Sequence, residues 1–246
     1  LSLDILFILL LGLAIGSFLN VVIHRVPKGE SVVFPSSHCP KCGVKLRFWH
    51  NIPVLSWLFL QGRCGFCNSK ISVRYPIVES LTGAIFVVLY LKLGFTSQFL
   101  IMVSLFSTLL TLAVIDLEYR AVPDSLNLLA LTLAIIHPLN LNLIFETLQN
   151  SLIFGGAFSF LRFYVSFFVG KEAMGEGDIM VAGTIGAILG IWTGTFAIFL
   201  SSILAIPVIL LTKQREMPFI PFLALSLFIV YLFEKEVISF LNYLLY

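Results

Sequence analysis

The chain has 246 residues, 59% of them apolar and only 11% charged, with a mean hydropathy of +1.04. That is too little polar surface to cover a water-soluble globule, so the composition excludes an ordinary soluble domain and indicates a polytopic membrane protein. The net charge of +2 says little over the whole chain, whereas its distribution along the chain is informative.

Apolar windows of about 17 to 25 residues predict spans at 3–23, 76–93, 97–115, 126–143, 149–169, 179–192, 195–212 and 218–233. The expected architecture is all-α, with about eight transmembrane helices and a break between the sixth and seventh at Trp192-Thr193-Gly194. No basic stretch precedes the first run and no A-x-A-like site follows it, so 1–23 is expected to be a retained span. A polar insertion, 24–75, holds eight of the fifteen Lys and Arg residues and one acid, Glu30. The positive-inside rule makes this insertion a small cytoplasmic domain between helices 1 and 2, with the N-terminus outside and 76–246 as the membrane core.

Alternation then places the loops at 116–125, 170–178 and 213–217 on the cytoplasmic face, and these carry Arg120, Lys171, Lys213 and Arg215. The opposite loops, 94–96 and 192–195, carry no basic residue. Asp116 and Asp178 therefore fall on one face at similar depth. The basic residues follow membrane topology, and no nucleic-acid partner is expected.

All four cysteines lie in the insertion, as Cys39-Pro40-Lys41-Cys42 and Cys64-Gly65-Phe66-Cys67. Two C-x2-C knuckles about twenty residues apart supply four thiolates for a tetrahedral Zn2+ with no open position, a structural site. The reducing compartment argues against two disulfides. His38 is expected to be a solvated neighbour. Between the knuckles, Phe48 to Phe59 is too short to span and carries Trp49 and Trp57; it is expected to lie against the bilayer surface. Glu79, about a turn inside the second span, has two readings: a polar group facing the bundle interior, or a partner for Arg74.

Asp116 follows Leu112-Ala113-Val114-Ile115 directly, with no cation in the four residues ahead of it. Pro123 ends any continuing helix, and Asp124 is expected to cap the fourth span. Glu118 and Glu176 are expected to face water. In Gly175-Glu176-Gly177-Asp178 the glycines allow a strand to approach the second aspartate closely. Two aspartates at the edge of a bilayer cannot easily both ionise, so they share a proton. Such a pair suits peptide hydrolysis, one carboxylate activating water while the other hydrogen-bonds the scissile carbonyl. No G-x-S-x-G or H-E-x-x-H motif offers a competing chemistry.

These residues together resemble the bacterial type IV prepilin peptidases, within the GxGD intramembrane aspartic proteases. The likeness runs through Gly16-Ser17-Phe18-Leu19-Asn20, both knuckles, Asn51-Ile52-Pro53-Val54-Leu55-Ser56-Trp57, Arg74-Tyr75-Pro76-Ile77-Val78-Glu79, Asp116 with Pro123-Asp124, and Gly175-Glu176-Gly177-Asp178. It implies that Asp116 and Asp178 are the catalytic pair. It also implies that the substrates are type IV prepilins or type II secretion pseudopilins, whose basic leader is cut on the cytoplasmic side of the bacterial inner membrane. A second activity is implied as well, N-methylation of the new terminus with S-adenosylmethionine. Met180 stands where the family often has Lys, and Ser80 where it usually has a second Leu. The prolines of Met217-Pro218-Phe219-Ile220-Pro221 are expected to kink the eighth helix. A proton- or cation-coupled transporter is the alternative reading, weakened by the lack of an internal repeat.

Overall fold

The computed structural model describes residues 3–171, 174–212 and 217–245. The expected cytoplasmic charges Lys213 and Arg215 lie outside the described residues. The long apolar runs form α1 (Leu3–Arg25), α3 (Arg74–Leu93), α4 (Ser97–Tyr119), α6 (Leu141–Val169) and α7 (Glu176–Thr212). Shorter apolar helices are α5 (Asp124–Ile136) and α8 (Ile220–Leu232); α2 (Leu55–Phe59) lies in the polar insertion and α9 (Glu234–Leu245) follows α8. Among the described residues, five helices are long and apolar enough to cross a membrane: α1 continued to Lys28, α3, α4, α6 and α7. At 13 residues each, α5 and α8 fall short of the roughly 20 that a full crossing takes.

The expected span at 126–143 ends early. After Ile136 comes His137-Pro138, and Asn140 starts the next helix, its side chain accepting the Asn142 N–H at 3.1 Å. Windows 179–192 and 195–212 fall within α7, whose break lies at Gly190 (φ 71°, ψ −168°), not at Trp192-Thr193-Gly194. Only glycine takes that conformation readily. Gly194 instead packs on Phe154, whose Cζ would lie 2.9 Å from an added Cβ. The two prolines also act differently from expectation. Pro218 precedes α8 and Pro221 sits in its first turn, where a missing N–H costs nothing, so they start the helix without kinking it.

Contacts divide the chain into two units, Leu1–Val103 and Ser104–Tyr246. In the first, α1 and α3 pair through small residues at four-residue steps. A Cβ on Gly12 would lie 2.9 Å from Gly83 Cα, and one on Gly16 would lie 2.7 Å from Glu79 Cα. One turn further on, Asn20 Nδ2 donates to the Tyr75 carbonyl at 3.1 Å. Close backbone approach through glycine, with a polar side chain bonded across, is how helices associate where lipid is the solvent. Gly16→Ala is therefore expected to cost about 1–3 kcal/mol by overpacking, read as a lower thermal midpoint in detergent.

In the second unit, the first part of α7 is the core. Residues Val181 to Leu189 are all buried, so this helix is covered on every side, as an all-round apolar helix must be. Glycine again sets the distance: a Cβ on Gly186 would lie 2.6 Å from the Asn150 carbonyl of α6.

Candidate active site and metal centre

Asp116 sits three residues from the end of α4 and is buried, 8% exposed; Asp178 is the third residue of α7 and half-buried. Both belong to the second unit, where Val122, six residues after Asp116, packs on Gly177, the neighbour of Asp178. Asp116 Oδ2 accepts the backbone N–H of Ile220 at 3.2 Å, the first residue of α8. The segment around Pro218 and Pro221 thus delivers a free helix N–H to the first aspartate. The Asp178 carboxylate lies beside Gly175, one residue ahead of α7.

At Gly177 the space beside the Cα is occupied. An added Cβ would lie 2.7 Å from Val122 Cγ2 and 2.8 Å from Val122 Cβ, so the space beside this glycine is filled by the α4–α5 loop. Gly175 is open on that side, its nearest neighbour being Asp178 Oδ2 at 3.4 Å. Asp124 is exposed and is the first residue of α5; Pro123 holds the cap position and no side-chain cap bond forms. The expected cap is one residue out of register, because Pro123 already supplies the extended conformation (φ −64°, ψ 122°) that a cap needs. Glu176 is exposed and paired with Arg162 of α6, Nη1 to Oε1 at 3.0 Å.

Two contributors escaped the sequence reading. Asn127 of α5 is 1% exposed, and its Nδ2 donates to the Gly177 carbonyl at 3.2 Å. Val122 is the other half of the same contact. An asparagine early in an apolar helix was a usable signal, since a buried amide is costly unless it is bonded.

In the first unit, Glu79 is 6% exposed. It accepts the Val54 N–H at 2.7 Å, consistent with the interior-facing reading. Val54, a β-branched residue at φ 61°, is strained, and the Glu79 carboxylate pins that turn.

The two cysteine knuckles fold alike. Cys39 N–H donates to Val44 O and Cys64 N–H to Ser69 O; the Cys39 and Cys64 carbonyls accept from Gly43 and Asn68. Gly43 (φ 69°) and Asn68 (φ 60°) make the left-handed turns that close each hairpin. The four sulfurs all lie within 4.8 Å of one another, and Cys39 Sγ is 3.9 Å from Cys67 Sγ. A tetrahedral ion with bonds of about 2.3 Å needs sulfurs roughly 3.8 Å apart, so the four cysteines fit a metal ion. Among the neighbouring thiols Cys39 is pulled down to about 6, chiefly by the Cys42 backbone N–H, while Cys42 is pushed up to about 11, so the four share their protons unevenly and a metal would have to displace them. His38 is exposed and its Nδ1 meets the Ser36 carbonyl, away from this group.

The expected interfacial segment splits in two. Trp57 packs on Gly62 and donates to the Ile71 carbonyl at 3.3 Å, so it belongs to the hairpin's own packing. Trp49, Ile52, Leu55, Leu58 and Phe59 are exposed.

Fold and site together define a helical membrane protein with an acid pair in one unit and a four-cysteine hairpin in the other. Residues 10–93 match the bacterial peptidase A24 N-terminal domain and residues 103–210 match the type IV leader peptidase family. The chain is 41% identical over 190 residues to the prepilin leader peptidase/N-methyltransferase of Myxococcus xanthus, covering 74% of this chain and 55% of that one. It is 35% identical over 253 residues to the protein of the same name from Neisseria gonorrhoeae, covering 90% and 87%. Against that of Pseudomonas aeruginosa it is 34% identical over 268 residues, covering 93% and 90%. No solved structure matches the chain. The chain belongs to the type IV leader peptidase family.

Proposed function

We propose that this protein is a prepilin leader peptidase, cutting the basic leader of type IV prepilins or type II secretion pseudopilins and N-methylating the exposed residue. The observation that carries the reading is that the loop following Asp116 packs, through Val122, on the glycine preceding Asp178, in a chain of this family. The ionised member takes a proton from water as the water oxygen attacks the scissile carbonyl carbon. The protonated member hydrogen-bonds the carbonyl oxygen, and its proton reaches the leaving amine as the C–N bond breaks. S-adenosylmethionine supplies the methyl group, a reading supported by the relatives' name.

The excess of Lys and Arg in 24–75 supports an inner-membrane orientation with hairpin and acid pair facing the cytoplasm, where a basic leader is presented. Exposed Trp49, Leu55, Leu58 and Phe59 support docking of the hairpin on the bilayer. The eight apolar segments are the spanning set in this reading, with α5 and α8 as short members.

The test uses full-length protein in detergent with a prepilin-like peptide and methyl-labelled S-adenosylmethionine. Leader release and label on the new terminus are expected. A transporter would give neither, and a methyltransferase alone would label only a pre-cut peptide.

The metal on Cys39, Cys42, Cys64 and Cys67 is zinc in this reading, structural because four thiolates leave no open position. Cys64→Ser, or exposure to a chelator, is expected to take bound zinc from about one per chain to near zero. Elemental analysis decides: unchanged zinc content, or a different metal, would sink the assignment.

A further inference from the structure

The α4–α5 loop and the start of α5 grip Gly177 at two points. Val122 packs against its Cα face, and Asn127 Nδ2 holds its carbonyl at 3.2 Å. Both gripping residues follow Asp116 in the chain, by six and eleven positions, and Gly177 immediately precedes Asp178. The intervening backbone is itself tied down: Arg120 N–H donates to the Asp116 carbonyl at 3.0 Å, and Asn127 N–H to the Pro123 carbonyl at 3.1 Å. The register between the two aspartates is therefore set by a short chain of contacts, from the end of α4 through Val122 and Asn127 to the first turn of α7.

The Asn127 amide is held in one orientation. Its side chain is 1% exposed, and its Oδ1 is buried with no hydrogen-bond partner among the described residues. Turning the amide over would set Oδ1 against the Gly177 carbonyl oxygen, two acceptors face to face. An apolar residue of the same size would leave no orphaned oxygen, so stability alone does not call for asparagine here.

We propose that Asn127 is a positioning residue for the acid pair: its amide fixes the Gly177 carbonyl so that the first turn of α7 presents Asp178 to Asp116. This rests on the catalytic reading of the two aspartates. Asn127 acts through the α7 backbone and touches neither substrate nor the reacting atoms. Because the grip bears on carboxylate geometry, its loss falls on turnover and leaves leader binding alone.

The experiment compares Asn127→Leu, Asn127→Gln and Asp178→Asn with the wild type, in full-length protein in detergent, on a prepilin-like peptide. For Asn127→Leu, kcat is expected to fall by about 10- to 100-fold with KM within about twofold and the thermal midpoint little changed. Asn127→Gln keeps the amide donor and is expected to recover part of that loss. An Asn127→Leu enzyme with near-normal kcat overturns the inference. So does a loss shared equally by Leu and Gln that follows the thermal midpoint, which is a packing effect. If Asp178→Asn itself keeps near-normal cleavage, the acid-pair reading fails and takes this inference with it. If Asp178→Asn is inactive while Asn127→Leu is normal, only the inference falls.

Discussion

Asp116→Asn and Asp178→Asn are each expected to lower the rate of leader release by on the order of 10²- to 10⁴-fold, the span general acid–base catalysis contributes. The change is close to isosteric, and at position 116 the amide oxygen still accepts the N–H that the carboxylate holds, so Ile220 keeps its acceptor there. The fold should thus survive, with a thermal midpoint near that of the wild type, and the loss should sit in kcat. The pair acts as a unit, so the double variant should be no worse than the poorer single one. Initial rates of leader release with purified protein measure this, and a single variant within tenfold of the wild type would remove that aspartate from the mechanism.

The two aspartates were legible in the sequence because each interrupts or terminates a long apolar run, where an acid is costly. Their pairing was an expectation from the charge distribution, which assigns the loops that carry them to one face. The cysteine knuckles were legible for a different reason: a four-ligand site written as two local C-x2-C turns needs little tertiary information.

What the sequence hid depends on contacts between distant segments. That Ile220 gives its N–H to Asp116 across 104 positions follows from how α8 packs, and no local pattern encodes it. Proline positions showed that helix geometry changes near 218–221, but not whether the residues lay inside a helix or at its start. The break in α7 is expected at Trp192-Thr193-Gly194 and lies at Gly190, because a glycine used for close packing, such as Gly194, and a glycine used for positive φ look alike in a sequence. The α5–α6 boundary was missed for a local reason: the apolar window ran over His137-Pro138 and the Asn140 cap.

Gly177 poses that ambiguity at the site itself, and one set of variants resolves it. As a helical residue, Gly177 would gain roughly 0.5–1 kcal/mol on becoming alanine if nothing stood beside it. The Cβ would meet Val122 at 2.7–2.8 Å, however, and overpacking of that kind costs about 1–3 kcal/mol, so the clash decides the sign. Relief requires the first turn of α7 to move away from the loop that follows Asp116. A displacement of about 1 Å between reacting groups can cost 10²-fold in rate, so Gly177→Ala is expected to lower kcat by about that factor with KM little changed. Val122→Gly removes the Cβ, Cγ1 and Cγ2 atoms that block the new methyl group. The double variant Gly177→Ala with Val122→Gly should therefore regain at least about tenfold of the lost rate. If Gly177 instead leaves room for an extended leader, the methyl group obstructs substrate: KM rises and Val122→Gly restores nothing. Steady-state kinetics of the two single variants and the double separate a glycine that holds the aspartates together from one that admits the leader.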